Sequence, residues 1–293
     1  MITRSEESQS AVARAALLVL VGSVALHTSN AIASTLFATY GSQPVSAMRM
    51  MFAALILLVL VRPRVRGRSR GEWLGIVVYG AAMAVMNGAL YHAIERIPLG
   101  IASTIEFLGP CAVALVQSRR WREAACALLA LAGVALLSAG PAGFFDAAGY
   151  AFAVCAAVAF GVYTLFAPLV GNSGADGLAL SIAVAAVFTS PWSAPVVVSG
   201  GLDVRAAVLL AASAVLGVVI TFGADTLAAK MTSARVVGTL FAIDPAMSAI
   251  IGKLALGQDL TAAAVAGIVV VASAGALLVW SAESEDVSEP PID

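Results

Sequence analysis

A succession of apolar stretches, each long enough to cross a bilayer, constrains this chain more than any other feature. A membrane-spanning helix needs about 20 mainly apolar residues. Only 11% of the 293 residues are charged, whereas a soluble domain carries about a quarter charged residues. We therefore predict an all-α integral membrane protein of ten transmembrane helices, surrounded by lipid. The predicted spans are residues 13–33, 44–61, 73–94, 99–117, 123–140, 147–168, 177–198, 205–229, 235–256 and 260–281.

The lysines and arginines predict the orientation, because positively charged loops stay in the cytoplasm. With both termini in the cytoplasm, 12 of the 16 basic residues lie at the inner face, including five arginines between residues 62 and 70. The other four lie within spans or at their outer ends, and we expect Arg49 and Lys253 to extend toward the outer interface. The net charge of −1 offers no basic surface for nucleic acid.

The two halves of the chain resemble each other. Residues 96–110 resemble residues 231–245, and an offset of 135 residues aligns Pro110 with Pro245. Each half holds five predicted spans, and an odd number makes the second copy enter from the opposite side. This predicts two inverted five-helix repeats, an arrangement that exposes a midplane site alternately to either face. The expected units are a first repeat over 1–140, a second, inverted repeat over 141–281 and a disordered cytoplasmic tail over 282–293.

Carboxylates inside the spans need an explanation, because a charge at the centre of a span costs about 2.5–3.5 kcal/mol. Glu106 and Asp244 each precede the matched proline of their half, Pro110 or Pro245. A proline inside a helix removes a backbone hydrogen bond, so each carboxylate lies beside exposed backbone that could bind an ammonium group or a proton. Alternatively, each carboxylate is structural and holds two helices together. Asp225 is a third acid, in the eighth span.

Other polar side chains in the spans are weaker candidates. Asn87 and Tyr91 are four residues apart and share one helix face, and Tyr163 offers a similar aromatic hydroxyl. They could line a cavity or serve only as interhelical hydrogen bonds. His27 can titrate near neutral pH, although we favour a packing role for a lone membrane histidine.

No catalytic, metal-binding or phosphate-binding motif is found. We therefore expect no enzyme activity, no cofactor and no metal. On the same ground we expect no nucleotide-driven pumping. The energy source is then a gradient of the solute or of protons, which makes the proton a candidate coupling ion.

The fourth span carries the strongest family signal. Residues 97–102, Ile-Pro-Leu-Gly-Ile-Ala, are followed by Glu106-Phe107 and Gly109-Pro110. This run resembles the threonine and homoserine exporters of the drug/metabolite transporter superfamily, of the EamA type. The second half is similar to that family's ninth span at Gly238-Thr239-Leu240, Asp244 and Pro245-Ala246, and the family's acid, Met-Asn pair and tyrosine fall at Asp225, Met86-Asn87 and Tyr163.

The resemblance implies ten helices in two inverted repeats, cytoplasmic termini and efflux of amino acids or similar metabolites across a bacterial inner membrane. The leading hypothesis is an exporter of threonine-like, homoserine-like or other neutral or aromatic amino acids. Glu106, Asp225 or Asp244 would meet the ammonium group, while Pro110 and Pro245 are candidate flex points. His27 replaces an expected polar amide, which leaves the substrate open. The alternatives are efflux of another metabolite or drug, and a facilitator that does not alternate.

Overall fold

A computed structural model of the protein describes residues 2–117, 146–171, 173–231 and 240–282, together with residues 125, 128–130, 132, 133 and 136. All regular structure in these ranges is helical, as the sequence predicts. The helices are α1 Ile2–Ser34, α2 Phe37–Tyr40, α3 Ser42–Val61, α4 Arg70–Ile94, α5 Leu99–Gln117, α6 Ala147–Gly171, α7 Gly174–Val198, α8 Val204–Ala214, a π-helical segment Val215–Ile220, α9 Thr221–Met231, a 3₁₀ turn Phe241–Ile243, α10 Asp244–Leu256 and α11 Ala262–Ala282.

Six of the described helices are long and apolar enough to cross a bilayer: Ala13–Ser34, Ser42–Val61, Arg70–Ile94, Ala147–Val170, Gly174–Val198 and Val204–Asp225. Helices α5 and α11 contribute shorter apolar stretches, Leu99–Val113 and Ala262–Ala274. Such apolar sequences form helices in lipid because a helix satisfies all of its backbone hydrogen bonds within the span. Most of the predicted fifth span, the start of the ninth and the tail from residue 283 lie outside the described residues.

The arginine-rich connection between α3 and α4 is held against the connection between α6 and α7. Ser69 caps α4 in a reciprocal capping box with Glu72, and the Ser173 hydroxyl donates to Glu72 across a distance of 3.1 Å. The Arg68 guanidinium lies 3.5 Å from the Asp176 carboxylate. These contacts gather one end of four helices around the predicted cytoplasmic loop.

Polar contacts also join helix ends at the opposite side of the bundle. The Tyr40 hydroxyl donates to Asp203 at 2.9 Å, and Asp203 in turn caps the first turn of α8. Arg96 lies 3.5 Å from Asp146, which precedes α6. Because α3 and α4 run between the two ends, these contacts lie away from the arginine-rich loop.

Four packing pairs join helices of the first half of the chain to helices of the second half. Helix α1 packs on α9 and the π-helical segment, while α4 packs on α6. Helix α3 packs on α7, and α5 packs on α10. Small residues permit the closest approaches, since Gly100 lies against the backbone of Ala249, where a Cβ atom at residue 100 would be 2.8 Å from the Ala249 Cα.

Candidate functional site

Asp244 faces α1 from the junction between the 3₁₀ turn and α10. The Ser23 hydroxyl donates a hydrogen bond to its Oδ1, and Nε2 of His27 lies 3.9 Å from the same oxygen. Ser23 and His27 share one face of α1 because they are four residues apart. His27 is 3% exposed, and neither of its ring nitrogens has a hydrogen-bond partner among the described residues. The structure thus brings together two of the residues singled out from the sequence.

Asp225 reaches the same stretch of α1 from α9. A Cβ atom on Gly22 would lie 3.1 Å from Oδ1 of Asp225, so the missing side chain at residue 22 makes room for the carboxylate. Asp225 is close enough to Asp244 for their charges to interact. The two acids of the second half therefore flank neighbouring residues of α1.

Glu106 adds a third carboxylate from α5. It is partly buried, and it makes no hydrogen bond with any residue that the structure describes. Its charge interacts with Asp244 and with Arg49. Glu106 is thus a partly buried acid with spare hydrogen-bonding capacity, in electrostatic range of an acidic group and a basic group.

Arg49 on α3 is the basic group, and its position corrects the sequence prediction. It does not extend toward an interface: the residue is 3% exposed. Its Nη1 donates to Ser29 at 3.0 Å and to Asn30 at 3.2 Å, and its Nη2 donates to Asn87. The guanidinium carbon lies 4.8 Å from the centroid of the Tyr91 ring. Neutral acceptors in the bundle interior satisfy part of its hydrogen-bonding capacity and hold the side chain there.

A reciprocal pair of serines fixes α1 against α8 beside Arg49. The Ser29 and Ser213 hydroxyls are 2.8 Å apart, and each is also 3.0 Å or less from the backbone carbonyl of the other residue. Gly217 of the π-helical segment packs against Ser29 of this pair. π-Helical turns inside α-helices are often found at functional sites, and this one lies against the buried cation.

Asn87 and Tyr91 lie on one face of α4, as their spacing predicts. Asn87 accepts from Arg49 through Oδ1 and donates from Nδ2 to the Met83 carbonyl at 3.0 Å. Tyr91 is fully buried, and its hydroxyl is near Ser213 without forming a hydrogen bond. Both side chains therefore help to hold the guanidinium.

Tyr163 on α6 lies in a separate aromatic group. Its ring centroid is 4.3 Å from that of Tyr79 and 5.2 Å from that of Phe160. Its hydroxyl is in electrostatic range of Asp225 and Glu106, so it borders the acidic region without touching the Arg49 group.

The two matched prolines have different surroundings. Pro110 lies inside α5, as expected for a residue that interrupts a span. Pro245 instead lies in the first turn of α10, directly after the 3₁₀ turn. A proline is well tolerated there because the first turn of a helix has no partner for that N–H group. In the second half the irregular backbone is therefore the 3₁₀ turn before the proline, rather than a gap within a continuous α-helix.

An open cleft of about 370 Å³ lies at the ends of α1, α4 and α10, away from the arginine-rich loop. Ser34, Phe37, Glu95, Leu256 and Gln258 are among its lining residues. The three carboxylates do not line it. Among the described residues there is also no group of three His, Cys, Asp or Glu side chains that could hold a metal ion.

Sequence reasoning missed Arg49 and the serines around the site. A charged residue inside an apolar span was the available signal for Arg49, and Ser29-Asn30 was a polar pair within the first span. Ser23 and Ser213 carried no such signal, because single serines are common in membrane helices and satisfy their own hydroxyls on the preceding turn.

Comparison with known proteins agrees with this architecture. The sequence is 29% identical to the threonine/homoserine exporter RhtA of Escherichia coli (strain K12) over 280 residues, which cover 92% of this chain and 93% of that protein. The RhtA protein of Salmonella typhimurium (strain SL1344) is 29% identical over 269 residues, covering 89% and 90% of the two chains.

A crystal structure with 17% sequence identity has a TM-score of 0.59 to this protein and covers 96% of this chain and 99% of the other, so the two share a fold. The sequence profile of the EamA-like transporter family matches the chain twice in succession, over residues 13–139 and 147–280. With helices of membrane-spanning length and this double match over most of its length, the protein belongs to the EamA-like transporter family, a family of membrane transporters and not of enzymes.

Proposed function

We propose that the protein is a secondary transporter of the bacterial inner membrane that exports amino acids of the threonine and homoserine type by alternating access. The observation that carries the proposal is the burial of charges of both signs in one helix bundle. Asp244 interacts electrostatically with both Glu106 and Asp225, and Arg49, which interacts with Glu106, is buried in the same bundle. Charged groups inside a membrane protein mark the path of a substrate or ion far more often than they serve packing.

The relatives support the class of cargo. The named relatives are threonine/homoserine exporters aligned over about nine-tenths of this chain. Such a cargo carries an ammonium group, which a carboxylate with free acceptor sites can bind. Glu106 meets this requirement better than Asp244, because no described residue donates a hydrogen bond to its oxygens, whereas Asp244 already accepts from Ser23.

A ten-helix arrangement in two inverted repeats is supported by two observations. The family profile matches two successive segments of similar length, which fall within the proposed units 1–140 and 141–281. In chain order α1, α3, α4 and α5 correspond to α6, α7, α8–α9 and α10. Exchanging the halves then converts the packing of α1 on α9 into the packing of α6 on α4, and it leaves the pairs α3–α7 and α5–α10 unchanged. Repeats related in this way let the bundle rock about a site between them.

The proposed orientation has both termini in the cytoplasm. The arginine-rich connection that packs at Asp176 then lies on the inner side. The cleft at the opposite ends of α1, α4 and α10 then opens toward the outside. Protons are the proposed coupling ion, since buried carboxylates can exchange protons as the site changes sides.

The test is accumulation of labelled threonine and homoserine in cells that lack this protein and in cells that overproduce it, followed by counterflow in proteoliposomes. We expect lower intracellular amino acid on overproduction and counterflow of both compounds. Absence of counterflow for every neutral amino acid, with transport of an unrelated drug or metabolite, would refute the amino-acid assignment. A pH gradient that leaves the counterflow unchanged would refute proton coupling.

Alternating access is tested separately from the substrate. Ser103 is buried on α5 near Glu106, and Ser103→Cys can be made in a background without Cys111, Cys126 and Cys155. An alternating transporter exposes this cysteine to membrane-impermeant reagents from one side at a time, and added cargo changes the accessible side. A facilitator would leave it reactive from both sides at once.

A further inference from the structure

Arg49 is a buried cation whose partners are all neutral. Within the described part of the chain its side chain forms hydrogen bonds with one serine and two asparagine residues, and no carboxylate lies within 4.0 Å of it. An uncompensated charge in a low-dielectric interior is costly. A bound anion would therefore stabilise the buried guanidinium.

The hydrogen bonds of Arg49 with the described residues leave two of its guanidinium N–H groups unused. A guanidinium has five N–H groups. Two donate from Nη1 and one from Nη2, and the buried Nε has no hydrogen-bond partner in the described residues. What remains is the Nε–H and one N–H on Nη2. A carboxylate binds arginine through two parallel hydrogen bonds of this kind.

The surroundings hold the guanidinium in a fixed plane. Ser29 and Asn30 of α1 bind one nitrogen, Asn87 of α4 binds another, and the Tyr91 ring lies 4.8 Å from the guanidinium carbon. Preorganisation of this type is characteristic of binding residues, because the cost of ordering the side chain has been met before the ligand arrives. Nε is closed off from solvent in this conformation, so the elements that cover it must move before an anion can reach it.

We infer that Arg49 binds the carboxylate of the cargo, and that the protein selects molecules carrying both a carboxylate and an ammonium group over amines that lack a carboxylate. The inference rests on the proposed function. Glu106 is within electrostatic range of Arg49, so an anchored carboxylate leaves the ammonium group of a zwitterion near an acid. This assigns the two ends of the cargo to two different helices, α3 and α5.

The test compares threonine with threonine amide, in which a neutral amide replaces the carboxylate. In proteoliposomes containing the wild-type protein, we expect threonine counterflow to exceed threonine amide counterflow at least about tenfold, the usual effect of losing a charged hydrogen-bonded pair. Arg49→Met should lower threonine counterflow to the level of amide counterflow measured with the same variant, so that the preference disappears. Arg49→Lys should keep part of the preference and raise the KM for threonine.

The controls separate binding from folding. Arg205→Met removes an exposed arginine at the start of α8 and should preserve the wild-type preference. If Arg49→Met does not fold, the wild-type comparison and Arg49→Lys still decide the question. Equal wild-type transport of threonine and its amide, or an Arg49→Met protein that keeps the threonine preference, overturns the inference. Failure of the wild-type protein to move threonine at all instead counts against the proposed function.

Discussion

Gly217 packs so tightly against Ser29 that a Cβ atom at residue 217 would lie 2.5 Å from the serine Oγ and 3.1 Å from Nη1 of Arg49. The π-helical segment therefore lies close to the buried Arg49 guanidinium, and a side chain larger than that of glycine would clash at residue 217. The two serines that join α1 to α8 and the guanidinium of α3 depend on the same close approach.

Gly217→Ala should therefore disturb both the serine pair and the position of Arg49. Overpacking of this kind costs about 1–3 kcal/mol, and we expect a lower unfolding temperature in detergent together with reduced transport. Gly223→Ala is the matched control, because a Cβ atom at residue 223 meets nothing within 4 Å. Wild-type stability and transport in Gly217→Ala would contradict the close packing described here.

Glu106→Gln and Asp244→Asn should each lower amino-acid counterflow by about tenfold or more, since loss of one charged hydrogen bond in a buried site costs about 1.5–3 kcal/mol. Both changes preserve the size of the side chain and keep one acceptor oxygen, so folding should be retained. Asp259→Asn serves as the control because the Asp259 side chain is 79% exposed. If both buried variants transport at the wild-type rate, the carboxylates do not bind cargo.

Much of the fold could be predicted from the sequence, because a helix that crosses lipid needs about 20 mainly apolar residues. The predicted limits 44–61 and 99–117 compare with Ser42–Val61 and Leu99–Gln117 in the structure, since charges, glycines and prolines interrupt the apolar stretches. The irregular backbone could not be predicted from the sequence. Nothing in the composition of Val215–Ile220 distinguishes a π-helical turn from an α-helix, and the 3₁₀ turn before Asp244 depends on tertiary packing.

The candidate site was predictable only in part. Spacing predicted that Asn87 and Tyr91 share a face, but it gave no information on what that face contacts, which is Arg49. The prediction that Arg49 extends toward the outer interface was wrong. It considered the cost of burying a charge but not the hydrogen-bond partners that other helices can offer. Such partners lie on other helices, as Ser29 of α1 and Asn87 of α4 do, and only the folded chain brings them to Arg49.

Asp203 should contribute to stability at neutral pH and lose that contribution in acid. The backbone N–H of Ala206 and the hydroxyl of Tyr40 donate to the carboxylate and lower the pKa of Asp203 below its ordinary value. A lowered pKa in the folded state stabilises the fold above the unfolded pKa, near 3.9, and the benefit is lost as the pH falls through the folded value. Asp203→Ala should therefore lower the unfolding temperature at pH 7, and the difference from wild type should shrink below about pH 4.

Asp203→Asn is the matched control, because asparagine is also a good N-cap residue. It should retain most of the stability at pH 7 and show a weaker pH dependence than the wild type. A gap between wild type and Asp203→Ala that widens in acid would contradict the lowered pKa.

Ser29 and Ser213 should be strongly coupled in a double-mutant cycle. Each hydroxyl donates to the other residue's backbone carbonyl or hydroxyl, so each alanine substitution removes its own donor together with the shared hydroxyl–hydroxyl contact, at a cost of about 1–3 kcal/mol. Because that shared contact is lost only once, the double variant should lose less stability than the sum of the single variants by about 0.5–3 kcal/mol. Ser29→Ala should also impair transport more than Ser213→Ala, because only Ser29 accepts from Arg49. Additive losses of stability, or equal losses of transport, would show that the pair is not the link between α1, α8 and the buried cation.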